Sequence, residues 1–152
     1  MNLSPDFRDL LEELGRAKVE YVLVGGYAVA FHGRPRATKD IDLVLRGTAE
    51  NLERTASALD AFAAPPQVVQ ATRSMRADEV VYMGQPPMRV DFLQTIDGVD
   101  ARDLFRDAVE AEVDGLPIRV ISLEHLIRNE RAAGPVDLLD ADFLERVRDR
   151  RA

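Results

Sequence analysis

At 152 residues and 46% hydrophobic composition, the chain is sized for a single domain spanning 1–152 with a real core, which excludes wholesale disorder. It has no cysteine, which removes disulfide scaffolds, thiolate zinc sites and cysteine nucleophiles, and two histidines, His32 and His125, leave little for an imidazole metal site. Twenty basic against 27 acidic side chains give a net charge of −7, the wrong sign for unspecific grip on nucleic acid unless a local basic patch overrides it.

The N-terminal MNLSPDFRDLLEELGR lacks the basic-then-apolar order of a signal peptide. The uncharged run Tyr21–Gly33 is too short to span a bilayer, so a soluble cytoplasmic protein with no membrane contact is expected. Ser4-Pro5 reads as an N-cap with Pro at the first helical position, followed by the apolar stripe Phe7, Leu10, Leu11, Leu14. Glu20–Val24 predicts a buried strand ending at Gly25-Gly26, and Tyr27–His32 a short helix closed by Gly33. Asp40–Leu45 predicts a second strand. Thr48 caps a helix bearing Leu52, Ala56, Leu59 and Phe62, and Pro65-Pro66 breaks the chain after it.

Glu79–Met83 and Met88–Leu93 read as strands around a turn, and Ala101–Val109 as a helix. Ala111–Val113 and Ile118–Val120 flank Asp114-Gly115, a hairpin signal that Leu116-Pro117 lengthens. Ser122 caps a helix carrying Leu123, Leu126 and Ile127. Gly134-Pro135 separates it from a last helix with Leu138, Leu139, Phe143 and Val147. The pattern implies an α+β fold: a mixed β-sheet with flanking helices and a C-terminal helical pair.

Three carboxylates lie inside apolar strands, where Asp is disfavoured. Asp40 and Asp42 alternate with Ile41 and Leu43, so both project from one strand face, roughly 6 to 7 Å apart at Cα. Two hard oxygen donors on one face are what Mg²⁺ (or Mn²⁺) takes from a protein, with water and phosphate completing its shell. Asp91, between Val90 and Phe92, is a third acid in the same setting. The bland alternative is a solvated strand face. Against it stands Gly25-Gly26 at a strand-to-helix turn, where bare backbone N–H groups meet phosphate. Arg34–Lys39 (RPRATK) adds three positive charges and no negative ones. Together these suggest a nucleoside triphosphate delivered to a metal.

VGGYAVAFHGRPRATKDIDLVL resembles the signature of the nucleotidyltransferase superfamily, the DNA polymerase β-like fold. The GGYA and RATKDID segments resemble its bacterial branch of AbiEii-type toxins and small uncharacterised nucleotidyltransferases, and ISLEHLIRNERAAGPVDLLDADFL its C-terminal two-helix segment. The resemblance implies that Asp40 and Asp42 chelate the metal that grips the triphosphate, and that Asp91 shares a second metal or acts as base. It implies backbone contacts from Gly25 and Gly26 to the β- and γ-phosphates. Arg36, Thr38 and Lys39 contact phosphate on this reading; Arg36 paired with a surface acid and Thr38 capping a strand are the plain alternatives.

Departures from the pattern bear on activity. Glu130 stands where the resemblance expects Lys, and Pro135-Val136 where it expects Arg or Lys; Glu130 facing the triphosphate would repel it, with Arg128 or Arg131 as substitutes. Asp137 and Asp140 are expected to cap the last helix rather than buttress a basic side chain. His32 and His125 are expected to be packed, Arg73 and Arg76 to sit in a loop, and Tyr27 either to stack on a base or to start its helix.

The expected function is transfer of a nucleoside monophosphate, ATP among the donors, to an unknown RNA, protein or small-molecule acceptor, within a toxin–antitoxin system. The alternative is a catalytically weak member of the fold acting as a partner-binding module, through a protein partner or a homo-oligomer. An aminoglycoside-modifying enzyme is disfavoured because the length leaves no room for a further substrate domain.

Overall fold

Three short polar side chains turn the chain into its helices. Ser4 Oγ accepts from Phe7 N at the start of α1 (Pro5–Arg16), Thr48 Oγ1 from Asn51 N at α3 (Ala49–Ala61), and Ser122 Oγ from His125 N at α6 (Leu123–Ala133). The structure is a computed structural model that describes residues 3–34, 40–85 and 89–151, the side chains of 135–137 apart.

The remaining elements are β1 (Tyr21–Val24), α2 (Gly25–Phe31), β2 (Asp40–Leu45), α4 (Pro66–Arg73), β3 (Val81–Met83), β4 (Arg89–Leu93), α5 (Ala101–Arg106), β5 (Val109–Val113), β6 (Leu116–Val120) and α7 (Pro135–Arg151). They confirm the α+β class. The six strands form one mixed sheet in the order β3-β4-β2-β1-β6-β5. β1 runs antiparallel to β2 and parallel to β6, while β2 and β4 are parallel. The two hairpin pairs, β3/β4 and β5/β6, are antiparallel.

Three expectations need correction. Pro65-Pro66 does not only break the chain: Pro66 starts α4, because the first helical turn has no use for the N–H that Pro lacks. Arg73 accordingly ends a helix, bonded to Glu53 at 2.7 Å. The fifth helix stops at Arg106, since Val109 pairs with Val120 in the hairpin. That hairpin is tight, with Val113 opposite Leu116; Asp114 and Gly115 both adopt positive φ, +50° and +80°. Two central residues of positive φ match the twist of the flanking strands.

The core fills both sides of the sheet. Leu43, Val44 and Leu45 of β2 are all fully buried, so the second half of that strand is covered on both faces. Its first half is not: Asp40 and Asp42 are half-buried and alternate with buried Ile41 and Leu43. Met83 and Val90, on the opposite face from Asp42 and Asp91, share a groove with Phe7 and Leu10 of α1. Asn51 fastens the outer ends of β1 and β2, accepting from Glu20 N at 2.7 Å and donating to the carbonyls of Glu20 and Arg46 at 2.9 and 2.8 Å. Among the described residues, no helix is long and apolar enough to cross a membrane.

Candidate active site

β1 ends where β2 and β4 begin, and strand pairing puts the acidic residues there in one row. Val24 lies opposite Asp42, Asp42 beside Asp91, and Asp91 opposite Tyr82. Partners directly across a ladder point to the same face. Asp42, Asp91 and Tyr82 therefore share a face, with Asp40 and Arg89 one strand repeat away and themselves register partners.

The carboxyl groups of Asp42 and Asp91 lie close enough to share a proton when Asp42 is protonated. Burial first, then the charges of Asp91 and Asp40, push the Asp42 carboxyl up to about 6, with Arg89 opposing them. Asp91 also accepts from Arg89 Nε at 2.7 Å, and the Arg89 guanidinium lies 4.3 Å from the centre of the Tyr82 ring. Neither the Arg89 pair nor the tyrosine was foreseen. The signal was Arg-x-Asp in a period-two strand, which places both side chains on one face.

Gly25 closes the other side of the row. It adopts φ +69°, and a methyl group there would overlap Asp42 Oδ2. Only glycine lets the turn from β1 into α2 come this close to a carboxylate. Gly26 follows in the first turn of α2. Arg36, Thr38 and Lys39 lie outside the described residues.

The donor set suits a hard divalent cation: three carboxylates on one face, with burial and then the neighbouring acids raising the proton affinity of Asp42. As they stand, no three carboxylate or imidazole groups among the described residues are close enough to hold an ion between them. Asp91 also accepts from Arg89 Nε, which offsets part of the negative charge of the row.

The remaining candidates are placed elsewhere. Glu130, expected to face the triphosphate, is 5% exposed on α6, buried rather than open to a cleft. Arg131 does not reach toward a nucleotide; Glu145 and Asp142 of α7 hold it. Asp140 is not a cap. It lies in the second turn of α7, 3% exposed, and takes Arg34 Nη1 at 2.8 Å. Tyr27 packs edge-on against Phe7, ring centres 5.7 Å apart. His32 is buried and donates from Nε2 to the Ile121 carbonyl at 2.7 Å, and burial holds its pKa below the usual range. His125 is also packed.

The model of the family described as "Nucleotidyl transferase of unknown function (DUF2204)" matches residues 4–151. Among solved structures, a Thermotoga maritima protein described as a nucleotidyltransferase is 20% identical, with a TM-score of 0.60 over 94% of this chain and 88% of its own. The lincosamide antibiotic adenylyltransferase LnuA, solved with lincomycin bound, is 17% identical, with a TM-score of 0.60 over 97% of this chain and 99% of its own. ANT(2")-Ia in complex with adenylyl-2"-tobramycin is 15% identical, with a TM-score of 0.53 over 96% of this chain and 97% of its own. At these identities the likeness is one of fold. No match was found among curated proteins. Both antibiotic-related chains are spanned almost end to end.

Proposed function

We propose that this chain, which belongs to the nucleotidyl transferase family of unknown function matched over residues 4–151, moves a nucleoside monophosphate from a nucleoside triphosphate to an acceptor hydroxyl at the Asp42–Asp91 row. The observation that carries the reading is the strand register that sets Asp42 beside Asp91 on one face, directly against the Gly25 turn. Adjacent carboxylates beside a glycine turn are a donor set that suits metal-assisted phosphoryl transfer.

Asp40, Asp42 and Asp91 are the residues that would hold Mg²⁺ or Mn²⁺. A bound cation supplies charge stabilisation to the triphosphate and to the oxygens that attack and leave. Asp40 and Asp42 would hold the cation beside Gly25 and Gly26, whose backbone N–H groups would be free to meet the β- and γ-phosphates. Arg36, Thr38 and Lys39, which lie outside the described residues, would add to that contact through their charge and hydroxyl. The acceptor oxygen forms its bond to the α-phosphorus as the α–β bridging P–O bond breaks. Pyrophosphate departs with the bridging oxygen, and the acceptor's proton passes to Asp91 or to water.

The Arg89–Asp91 ion pair favours a second reading, a nucleotidyltransferase fold kept as a partner-binding module with little catalysis. Incubation with each labelled nucleoside triphosphate, Mg²⁺ or Mn²⁺ and cell extract separates the two. Label should move to an acceptor with the wild type and not with Asp42→Asn. Label on RNA or protein supports a toxin-like role in a toxin–antitoxin pair. Label on a small molecule supports chemistry of the kind named for the antibiotic adenylyltransferases. No transfer from any triphosphate favours the binding module.

A further inference from the structure

Arg89 sits at the acidic row without belonging to the acids. Its Nε is 2.7 Å from Asp91 Oδ1, and it stands beside Asp40 in the β2–β4 register. Its guanidinium lies 4.3 Å from the Tyr82 ring centre, on an edge strand where Tyr82 is 57% exposed. The ion pair is half-buried, with side-chain exposures of 35% and 20% for Arg89 and Asp91. A guanidinium is always charged, and the ring face holds it in place by attraction to the aromatic quadrupole. A divalent cation arriving at Asp91 therefore meets a positive charge already bonded to one of its oxygens.

We infer that Arg89 is a tethered counter-ion that competes with the divalent cation for Asp91, so that the Arg89–Asp91–Tyr82 contact sets the cation affinity of the row. This rests on the cation site proposed above. The physical consequence has an unusual sign. Removing a residue that merely supports the strand would loosen cation binding, whereas removing a competitor tightens it.

The test is titration of Mn²⁺ alone, without nucleotide, into the full chain at fixed pH and ionic strength, with free Mn²⁺ read by electron paramagnetic resonance. Arg89→Met keeps the aliphatic stem, and Arg89→Ala removes it. Both should bind Mn²⁺ about tenfold more tightly than wild type, the scale of one charge-assisted contact. Arg16→Met removes an Arg on α1, across the sheet from the row, and should leave the affinity unchanged.

Equal or weaker binding by both Arg89 variants, with binding lost in Asp42→Asn, overturns the inference and leaves the cation site standing. Equal tightening by Arg16→Met also overturns it, since the effect is then one of overall charge. If neither the wild type nor either Arg89 variant takes up Mn²⁺, the cation site itself fails. Binding gained by the Arg89 variants where wild type shows none supports the inference.

Discussion

At the scale of single residues, Asp42 carries an energetic conflict that can be read as a pH dependence. Its carboxyl is pushed up to about 6 in the folded protein, against 3.8 for an unperturbed Asp. The folded state therefore holds the proton more tightly than the unfolded chain. Stability from this group is complete below about pH 4 and is lost as pH rises through about 6. Each tenfold difference in proton affinity is worth about 1.4 kcal/mol, so the loss is about 3 kcal/mol at most. Asp42→Asn should be more stable than wild type by about 1–3 kcal/mol near pH 8, and the gain should vanish near pH 4. Urea unfolding at both pH values measures it; a gain of the same size at both would show that Asp42 is not electrostatically strained. Gly25 is the neighbouring case. Gly25→Ala combines a left-handed backbone with a methyl group driven into Asp42 Oδ2. It should cost about 1–3 kcal/mol in the same assay, and a neutral result would mean that the turn relaxes away from the carboxylate.

At the scale of elements, the chain leaving α2 is fastened to the last helix. Arg34 pairs with buried Asp140 and lies 5.5 Å from the centre of the Phe143 ring, both on α7, and Arg151 donates to the His32 carbonyl at 3.3 Å. These contacts fix the C-terminal end of α2 just ahead of the segment carrying Arg36, Thr38 and Lys39. They also decide which face of α7 turns inward. Leu138 and Leu139, expected in its apolar stripe, are 39% and 64% exposed, while Asp140, Ala141 and Leu144 are buried. A stripe read from apolar residues alone could not allow for a buried ion pair. Arg34→Ala should destabilise the protein by about 1–3 kcal/mol by removing one charge-assisted partner from Asp140. Thermal unfolding checks this, and an unchanged midpoint would reduce the pair to a surface contact.

At the scale of the whole molecule, the negative charge is not spread evenly, because the sheet order β3-β4-β2-β1 concentrates three carboxylates on one face at one end. A cation bound there, as proposed, would be linked to global stability, since the unfolded chain has no such row. At a hundred times its dissociation constant, Mg²⁺ should stabilise the wild type by about 2.7 kcal/mol. For a chain of this length that raises the melting temperature by about 5–10 °C. The same addition to Asp42→Asn should do far less. Calorimetric scans with and without Mg²⁺ distinguish the cases, and equal shifts for both proteins would place the cation elsewhere.

The sequence by itself determined the starts of α1, α3 and α6, because capping is local: Ser4, Thr48 and Ser122 act within three residues of themselves. It also determined the strands that matter. Asp40 and Asp42 share a face through the two-residue repeat alone, and the Gly-Gly turn and the Asp-x-Asp spacing carried the family resemblance. Tertiary structure decided what depends on partners distant in the chain. Strand register set Asp91 beside Asp42, and the close approach of the α2 turn left no room for a side chain at Gly25. Packing buried Glu130 on α6, where the family resemblance had it face the triphosphate. Arg89 was legible only as an Arg two residues before an Asp. Its place over Tyr82 required β3 folded against β4, a neighbour that a linear pattern does not contain.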